Sequence, residues 1–355
     1  MAETKKIRSI GVLTSGGDAP GMNAAVRAVT RTAIANDIGV IGILKGYRGL
    51  IDGETKEYTT HSVANIVNLG GTALYTDRCD EFKTEAGMRS ALAACKKLKI
   101  DGIVAIGGDG TFRGATDLSK RGIPTIGVPA TIDNDITASD YTIGFDTAMN
   151  TVLDMVDRLR TTSESHARCA VVEIMGREAG HIALQAGIAS GAVGIALTEI
   201  KFDEKECLDK MARAREKGKR NFVVFVSEGL EGYAEELKEK IDGIGIEAKF
   251  ARLAHVQRGG VPTLKDRLTA TVMGNRAVEL LIEGKKNLVV CMRDNKITEL
   301  DIVYALNLDR RYKGKMSDAE FAKLSARQQE SMTKFIEAKK AEMKKLYELS
   351  KLVAL

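Results

Sequence analysis

The chain has 355 residues, 44% of them hydrophobic, which is enough for two domains or one large α/β unit with a substantial core. Its 53 basic and 48 acidic residues leave a net charge of only +5, and with few aromatics and no Trp this balance gives no case for nucleic acid. Cys79, Cys95, Cys169, Cys207 and Cys291 are odd in number and lack paired spacing, against both a disulfide framework and a zinc site. MAETKKIRSIG carries charge without an apolar stretch and no run approaches membrane-spanning length, so a cytoplasmic location with no membrane partner is expected.

Ile7 to Leu13 reads as the first strand. TSGGDAPGMNAA then turns through Gly16, Gly17 and Gly21 into a helix with Ala24, Ala25, Val26 and Val29 on one side, a design that suits either a plain strand-to-helix turn or an anion seat. Arg27 and Arg31 lie four apart on that helix and share a face. Val40 to Leu44 is a second strand leading to the loop KGYRGL. Beyond it, NLGGTALYTDRCDEF places Arg78 in a loop of turn residues, where its use depends on whether that loop folds over the glycine seats. A helix over 87–99 follows.

The chain is organised around DGIVAIGGDGTFRGATDLSKRGIPTIGVPATIDND, residues 101–135. Ile103 to Ile106 is a buried strand, Gly107, Gly108 and Gly110 allow close backbone approach to an anion, and Thr111 to Leu118 runs as a helix whose N-terminal amides face the turn. Asp109 inside this seat would repel an anion unless a divalent cation neutralised both, which predicts a Mg-bound polyphosphate. After a strand over 124–128, Thr131, Asp133 and Asp135 stand at alternate positions and share one face if the segment is extended. Carboxylates two residues apart would lie roughly 7 Å from each other and repel by about 2 kcal/mol, tolerable beside cations. One could act as a base and the other sit near the metal. GGDGT alone also occurs in lipid and NAD kinases, and TIDND alone could be an Asx-type turn.

From Phe145 the pattern starts over: a helix through Met149, Val152, Val156 and Leu159, a strand from Cys169 to Met175, and another glycine turn at Gly176 with Arg177 inside it. Strands at 195–197 and 222–227 alternate with helices at 204–217 and 233–241, which means a parallel sheet covered on both faces, with ligands at the carboxyl ends of its strands. The polar residues there are Glu228, His255, Gln257 and Arg258, with Arg168 nearby in sequence to strand 169–175. A helix over 267–281 and a strand over 288–291 follow. Ser317 and Glu320 then open, in a capping-box arrangement, an amphipathic helix running to Leu355 with a break near Ser350, packed either on its own subunit or on a partner.

LTSGGDAPGMNAAVR, GGT with its downstream arginine, IGGDGTFRGA, PATIDND with YTIGFDTA, SESHAR, VEIMGR, SEG and AHVQRGG resemble, in order and at matching spacing, bacterial 6-phosphofructokinases of the ATP-dependent type over residues 5–310. The resemblance implies two similar three-layer αβα domains with mainly parallel sheets: 1–143 with 256–306 binding ATP, 144–255 binding fructose 6-phosphate, and 307–355 as a helical extension. It implies transfer of the γ-phosphoryl of Mg-ATP to the 1-hydroxyl of fructose 6-phosphate, with Asp133 as general base, Asp109 as Mg ligand, and Gly17, Arg78, Cys79, Gly108, Gly110 and Thr111 at the nucleotide. Arg78 and Arg177 would stabilise the transferring phosphoryl. Thr131, Asp135, Met175, Gly176, Glu228, His255 and Arg258 match sugar-phosphate contacts, with Arg168 and Lys249 supplied from the neighbouring subunit of a homotetramer.

Lys249 stands where the family usually has Arg, keeping the charge and losing the fork. Arg27, Arg31, Arg160, Lys217 and Lys219 match the effector site, but Thr60 and Val193 replace an Arg and a Glu of many members, so weak or altered regulation by ADP and phosphoenolpyruvate is expected. Pyrophosphate-dependent relatives commonly carry Asp at the position of Gly110 and Lys at that of Ala130, so the small residues here favour ATP. No Walker-type GK[ST] exists, which disfavours a P-loop kinase. A pyrophosphate-dependent enzyme and a non-catalytic sugar-phosphate-sensing subunit are the alternatives.

Overall fold

A computed structural model describes residues 7–354, so the first six residues of MAETKKIRSIG and Leu355 fall outside it. In chain order the first part holds β1 (Ser9–Ser15), α1 (Met22–Ala35), β2 (Gly39–Ile43), α2 (Gly46–Asp52), β3 (Thr55–Tyr58), α3 (Glu85–Lys97), β4 (Gly102–Gly107), α4 (Asp109–Lys120) and β5 (Thr125–Pro129). Then come α5 (Phe145–His166), β6 (Cys169–Ile174), α6 (His181–Ser190), β7 (Gly194–Ala196), α7 (Glu204–Glu216), β8 (Phe222–Ser227), α8 (Tyr233–Gly243) and β9 (Ala248–Arg252). The last part is α9 (Leu264–Ile282), β10 (Leu288–Arg293), β11 (Lys296–Asp301), α10 (Ile302–Tyr312), α11 (Asp318–Phe321) and α12 (Ala326–Val353).

Two compact units result. One gathers the described residues up to Ile132 with Ile136–Thr147 and Arg258–Lys323; the other holds Asp133–Asp135, Ala148–Gln257 and the described residues from Leu324 onward. The first contains a seven-stranded sheet in the order β11-β10-β5-β4-β1-β2-β3, parallel except for β3 and β11 at its two edges. The second contains a parallel four-stranded sheet, β7-β8-β6-β9. β1 feeds β2 on one side while β4 lies on its other side, so the strand order reverses between β1 and β4, where an α/β sheet opens a crevice at its carboxyl edge. Helices pack closely where strands carry glycine: a Cβ at Gly127 of β5 would come within 2.7 Å of the ring of buried Phe112 on α4.

Several sequence expectations are corrected. KGYRGL is not a loop: Gly46–Asp52 is a helical turn bounded by Lys45 and Gly53 in left-handed conformations, φ 55° and 75°. The short antiparallel edge strands and the apolar helix α6 lacked a clear period. The tail breaks at 322–325 rather than near Ser350, because a second capping box, Ser325 with Gln328, starts a new helix. Ser350 lies inside α12 and donates to the Tyr347 carbonyl at 2.6 Å. Residues 307–355, expected as one extension, are divided between the two units.

Met332, Met343, Tyr347 and Ser350 form the buried stripe of α12, which packs on α6 and on the edge strand β7. Tyr347→Ala is expected to lower unfolding free energy by about 3 kcal/mol, the usual cost of emptying a buried aromatic site, in a urea titration.

Candidate active site

The parallel register of β1 and β4 sets Ser15 beside Gly107, so both glycine turns leave the sheet side by side. They are bonded together: Thr111 Oγ1 donates to the Ser15 carbonyl at 2.9 Å, and Gly16 turns away with φ 89°. No side chain could replace Gly107, since a Cβ there would run into the Ser15 carbonyl and the Thr111 hydroxyl. Gly108 and Gly110 instead face open space at the start of α4, which leaves amides of its first turn accessible to an anion.

The loop carrying Arg78 is fastened to β1, to the turn after it and to α1. Thr14 Oγ1 donates to the Tyr75 carbonyl at 2.9 Å and meets Thr72 Oγ1 at 2.7 Å, while Thr76 Oγ1 donates to the Gly16 carbonyl at 2.6 Å. Asn23 of α1 donates to the Leu69 carbonyl and accepts from the Ala73 amide. Arg78 and its half-buried neighbour Cys79 therefore belong to the same unit as the glycine turns, with the arginine side chain exposed.

Asp109 is the first residue of α4, with its carboxylate bonded to the Gly110 amide at 2.7 Å and paired with Arg113 at 2.8 Å. A single partly exposed carboxylate beside open space fits a magnesium ion that takes most of its ligands from phosphate and water.

Asp133 does not stand on an extended face. The chain turns at Ile132–Asp133 and Asn134 takes φ 49°, so Thr131, Asp133 and Asp135 are presented by a turn rather than by strand alternation. Asp133 is 1% exposed, and Arg177 Nε lies 3.7 Å from its carboxylate. Arg177 is itself held in a left-handed conformation, φ 57°, because Glu228 Oε1 accepts both the Gly176 amide at 3.0 Å and the Arg177 amide at 2.6 Å. Met175 is fixed through its amide, which donates to the wholly buried Gln257 at 3.0 Å.

Arg168 and Lys249 come together on Glu247, at 2.8 and 2.9 Å. The Arg168 and Lys249 cations hold this carboxyl down at about 2, from the usual 4.5. A depressed carboxyl keeps its partners above its ordinary range and loses them as pH falls through the folded value. The cluster should therefore persist at pH 4 and dissolve near pH 2, which an NMR titration of the Glu247 carboxyl carbon would read. Sequence reasoning missed Glu247, although its alternate spacing with Lys249 was a usable signal. His255 is exposed, and Arg258 lies on the β1 turn, its Nη1 donating to the Asp18 carbonyl at 3.3 Å. A Cβ on Gly17 would strike that guanidinium.

The phosphofructokinase family model matches residues 9–281. The chain belongs to the phosphofructokinase family. An ATP-dependent 6-phosphofructokinase of Alkaliphilus metalliredigens is 50% identical over 306 residues, covering 86% of this chain and 96% of that protein. Among solved structures, phosphofructokinase from Saccharomyces cerevisiae superimposes with TM-score 0.84 at 32% identity, covering 97% of this chain, which spans 50% of the yeast chain. A pyrophosphate-dependent phosphofructokinase from Marinobacter aquaeolei, at 23% identity with TM-score 0.75 over 93% of this chain and 92% of its own, shares the fold.

The phosphofructokinase residues matched to effector binding are divided between the units. On α1, Arg31 Nη2 donates to the Thr60 carbonyl at 3.3 Å. In the other unit, Arg160 donates to the Ser190 carbonyl, Lys217 caps α7, and Lys219 Nζ lies 5.9 Å from the Phe222 ring centre. Val193 is buried, in the core of the second sheet.

Proposed function

We propose that the chain is an ATP-dependent 6-phosphofructokinase, forming fructose 1,6-bisphosphate and ADP from fructose 6-phosphate and Mg-ATP. The observation that carries this reading is the buried Asp133 carboxylate beside Arg177: an acceptor for the 1-hydroxyl proton next to a cation suited to the transferring phosphoryl. The open glycine turns of β1 and β4 would hold the polyphosphate, with the loop that carries Arg78 fastened through Thr76 to the turn after β1. Asp109 would hold magnesium, which when bound neutralises phosphate charge. Glu228 Oε2, unpartnered among the described residues, is available to a sugar hydroxyl. The proton passes from the hydroxyl to Asp133 as the oxygen bonds to γ-phosphorus and ADP leaves.

ATP is favoured over pyrophosphate because Gly110 leaves open space where an Asp side chain would project towards an α-phosphate. A homotetramer with shared sites is part of the proposal. It is supported by an exposed apolar stripe on α9, Leu264, Leu268 and Val272, and by the pairing of Arg168 and Lys249 with Glu247 rather than with Asp133. No helix among the described residues is long and apolar enough to cross a membrane, in keeping with a cytoplasmic enzyme. Incubation with Mg-ATP and fructose 6-phosphate, followed by aldolase-coupled detection of the bisphosphate, should show catalytic turnover. A sensing subunit would bind both and yield none. Lys249→Arg, restoring a fork for the sugar phosphate, is expected to lower KM for fructose 6-phosphate several-fold at unchanged kcat; an unchanged KM would exclude that role.

A further inference from the structure

We infer that Asp266, which no motif above assigns, is a positioning residue for this reaction: it locks the segment from which the Ile132–Asp133 turn departs. The inference rests on the proposed function and extends it beyond the groups that touch substrate.

Asp266 stands in the first turn of α9, after the N-cap Thr263, and is wholly buried. Its carboxylate accepts from Tyr141 Oη at 2.5 Å, the Gly144 amide at 2.7 Å, the Thr147 amide at 2.8 Å and Thr147 Oγ1 at 2.5 Å. A helix cap needs none of these four donors, all of which come from 141–147. Burial pushes the Asp266 carboxyl up, and the Thr147, Tyr141 and Gly144 donors pull against it.

What these bonds hold is the partner of the Thr131 segment. Between Tyr141 and Gly144, Thr142 Oγ1 donates to the Thr131 carbonyl at 2.7 Å, and the Ile143 amide donates to the Pro129 carbonyl at 3.0 Å. The Ala130 amide in turn donates to the Gly107 carbonyl at 3.0 Å, in the glycine turn after β4. A Cβ at Gly21, in the turn after β1, would lie 2.6 Å from Ile143 and 3.4 Å from the Asp266 Cβ. Asp266 thus reaches the turn after β4 and the Thr131 carbonyl through a few short bonds, and packs close to Gly21 in the turn after β1, without facing a ligand.

The test uses Asp266→Asn and Tyr141→Phe in the full chain. Asn must turn an amide donor towards donors; Phe removes one hydroxyl. Both are expected to lower kcat, about tenfold for Asp266→Asn and several-fold for Tyr141→Phe, with KM for Mg-ATP and fructose 6-phosphate within about threefold. Hydrogen exchange of peptide 129–147 should accelerate in both, while β2 and β8 exchange as in the wild type. Wild-type kcat in Tyr141→Phe would overturn the inference even if Asp266→Asn failed to fold, and so would unchanged exchange in 129–147. If the wild type itself formed no bisphosphate, the proposed function would fail, while the exchange readout would still decide whether Asp266 and Tyr141 lock this segment.

Discussion

Asp133→Asn is expected to lower kcat by a factor of about 10²–10⁴, the range contributed by a positioned general base. Asn matches Asp in shape, so the turn at Ile132–Asp133 and the burial of the side chain should survive, and both KM values should stay within a few-fold. What disappears is the ability to accept the hydroxyl proton as oxygen bonds to phosphorus. Arg177, 3.7 Å from the carboxylate, loses a charged partner in the variant. Some loss of stability is therefore also expected, and kcat must be measured well below the melting transition. A kcat within threefold of wild type would remove Asp133 from the proton-accepting role.

Arg177→Ala is expected to lower kcat by about 10²–10³, the effect of deleting one preorganised group aimed at transition-state charge. Arg177 sits at φ 57° because Glu228 fixes its amide and that of Gly176. Alanine carries the same Cβ strain at that φ, so backbone energy changes little and the loss reports the guanidinium. Arg177→Lys should recover part of kcat but not the geometry of the fork. If Ala raised KM for fructose 6-phosphate and left kcat alone, Arg177 would be a binding group and not a stabiliser of the moving phosphoryl.

Most strands were legible because their apolar runs are short and buried, and β8 was read residue for residue as 222–227, whereas β3, β9 and β11, at sheet edges with many polar residues, were not read. Glycine turns were legible as punctuation, and the register of Ser15 beside Gly107 explains why two such turns occur near each other. Less visible was anything fixed by left-handed conformations at residues other than glycine. Lys45 beside a glycine made KGYRGL look like loop, and Asn134 turned an apparently alternating TIDND into a corner. Arg78 could be placed only once Thr14, Asn23 and Thr76 were seen holding its loop, contacts made across tens of residues. Arg258, read as a sugar-phosphate residue, has its guanidinium on the Gly17–Asp18 turn, a contact made across 240 residues that no periodicity marks. The four bonds to Asp266 left no periodic trace, since a buried acid in a first helical turn reads as an ordinary cap.

The choice of phosphoryl donor tests the central claim most directly, because the open space at Gly110 and the assignment of the glycine turns both stand on it. Initial rates of fructose 1,6-bisphosphate formation should be measured with Mg-ATP and with Mg-pyrophosphate at equal concentration and saturating fructose 6-phosphate. Faster turnover with Mg-ATP is predicted; faster turnover with pyrophosphate would contradict the account.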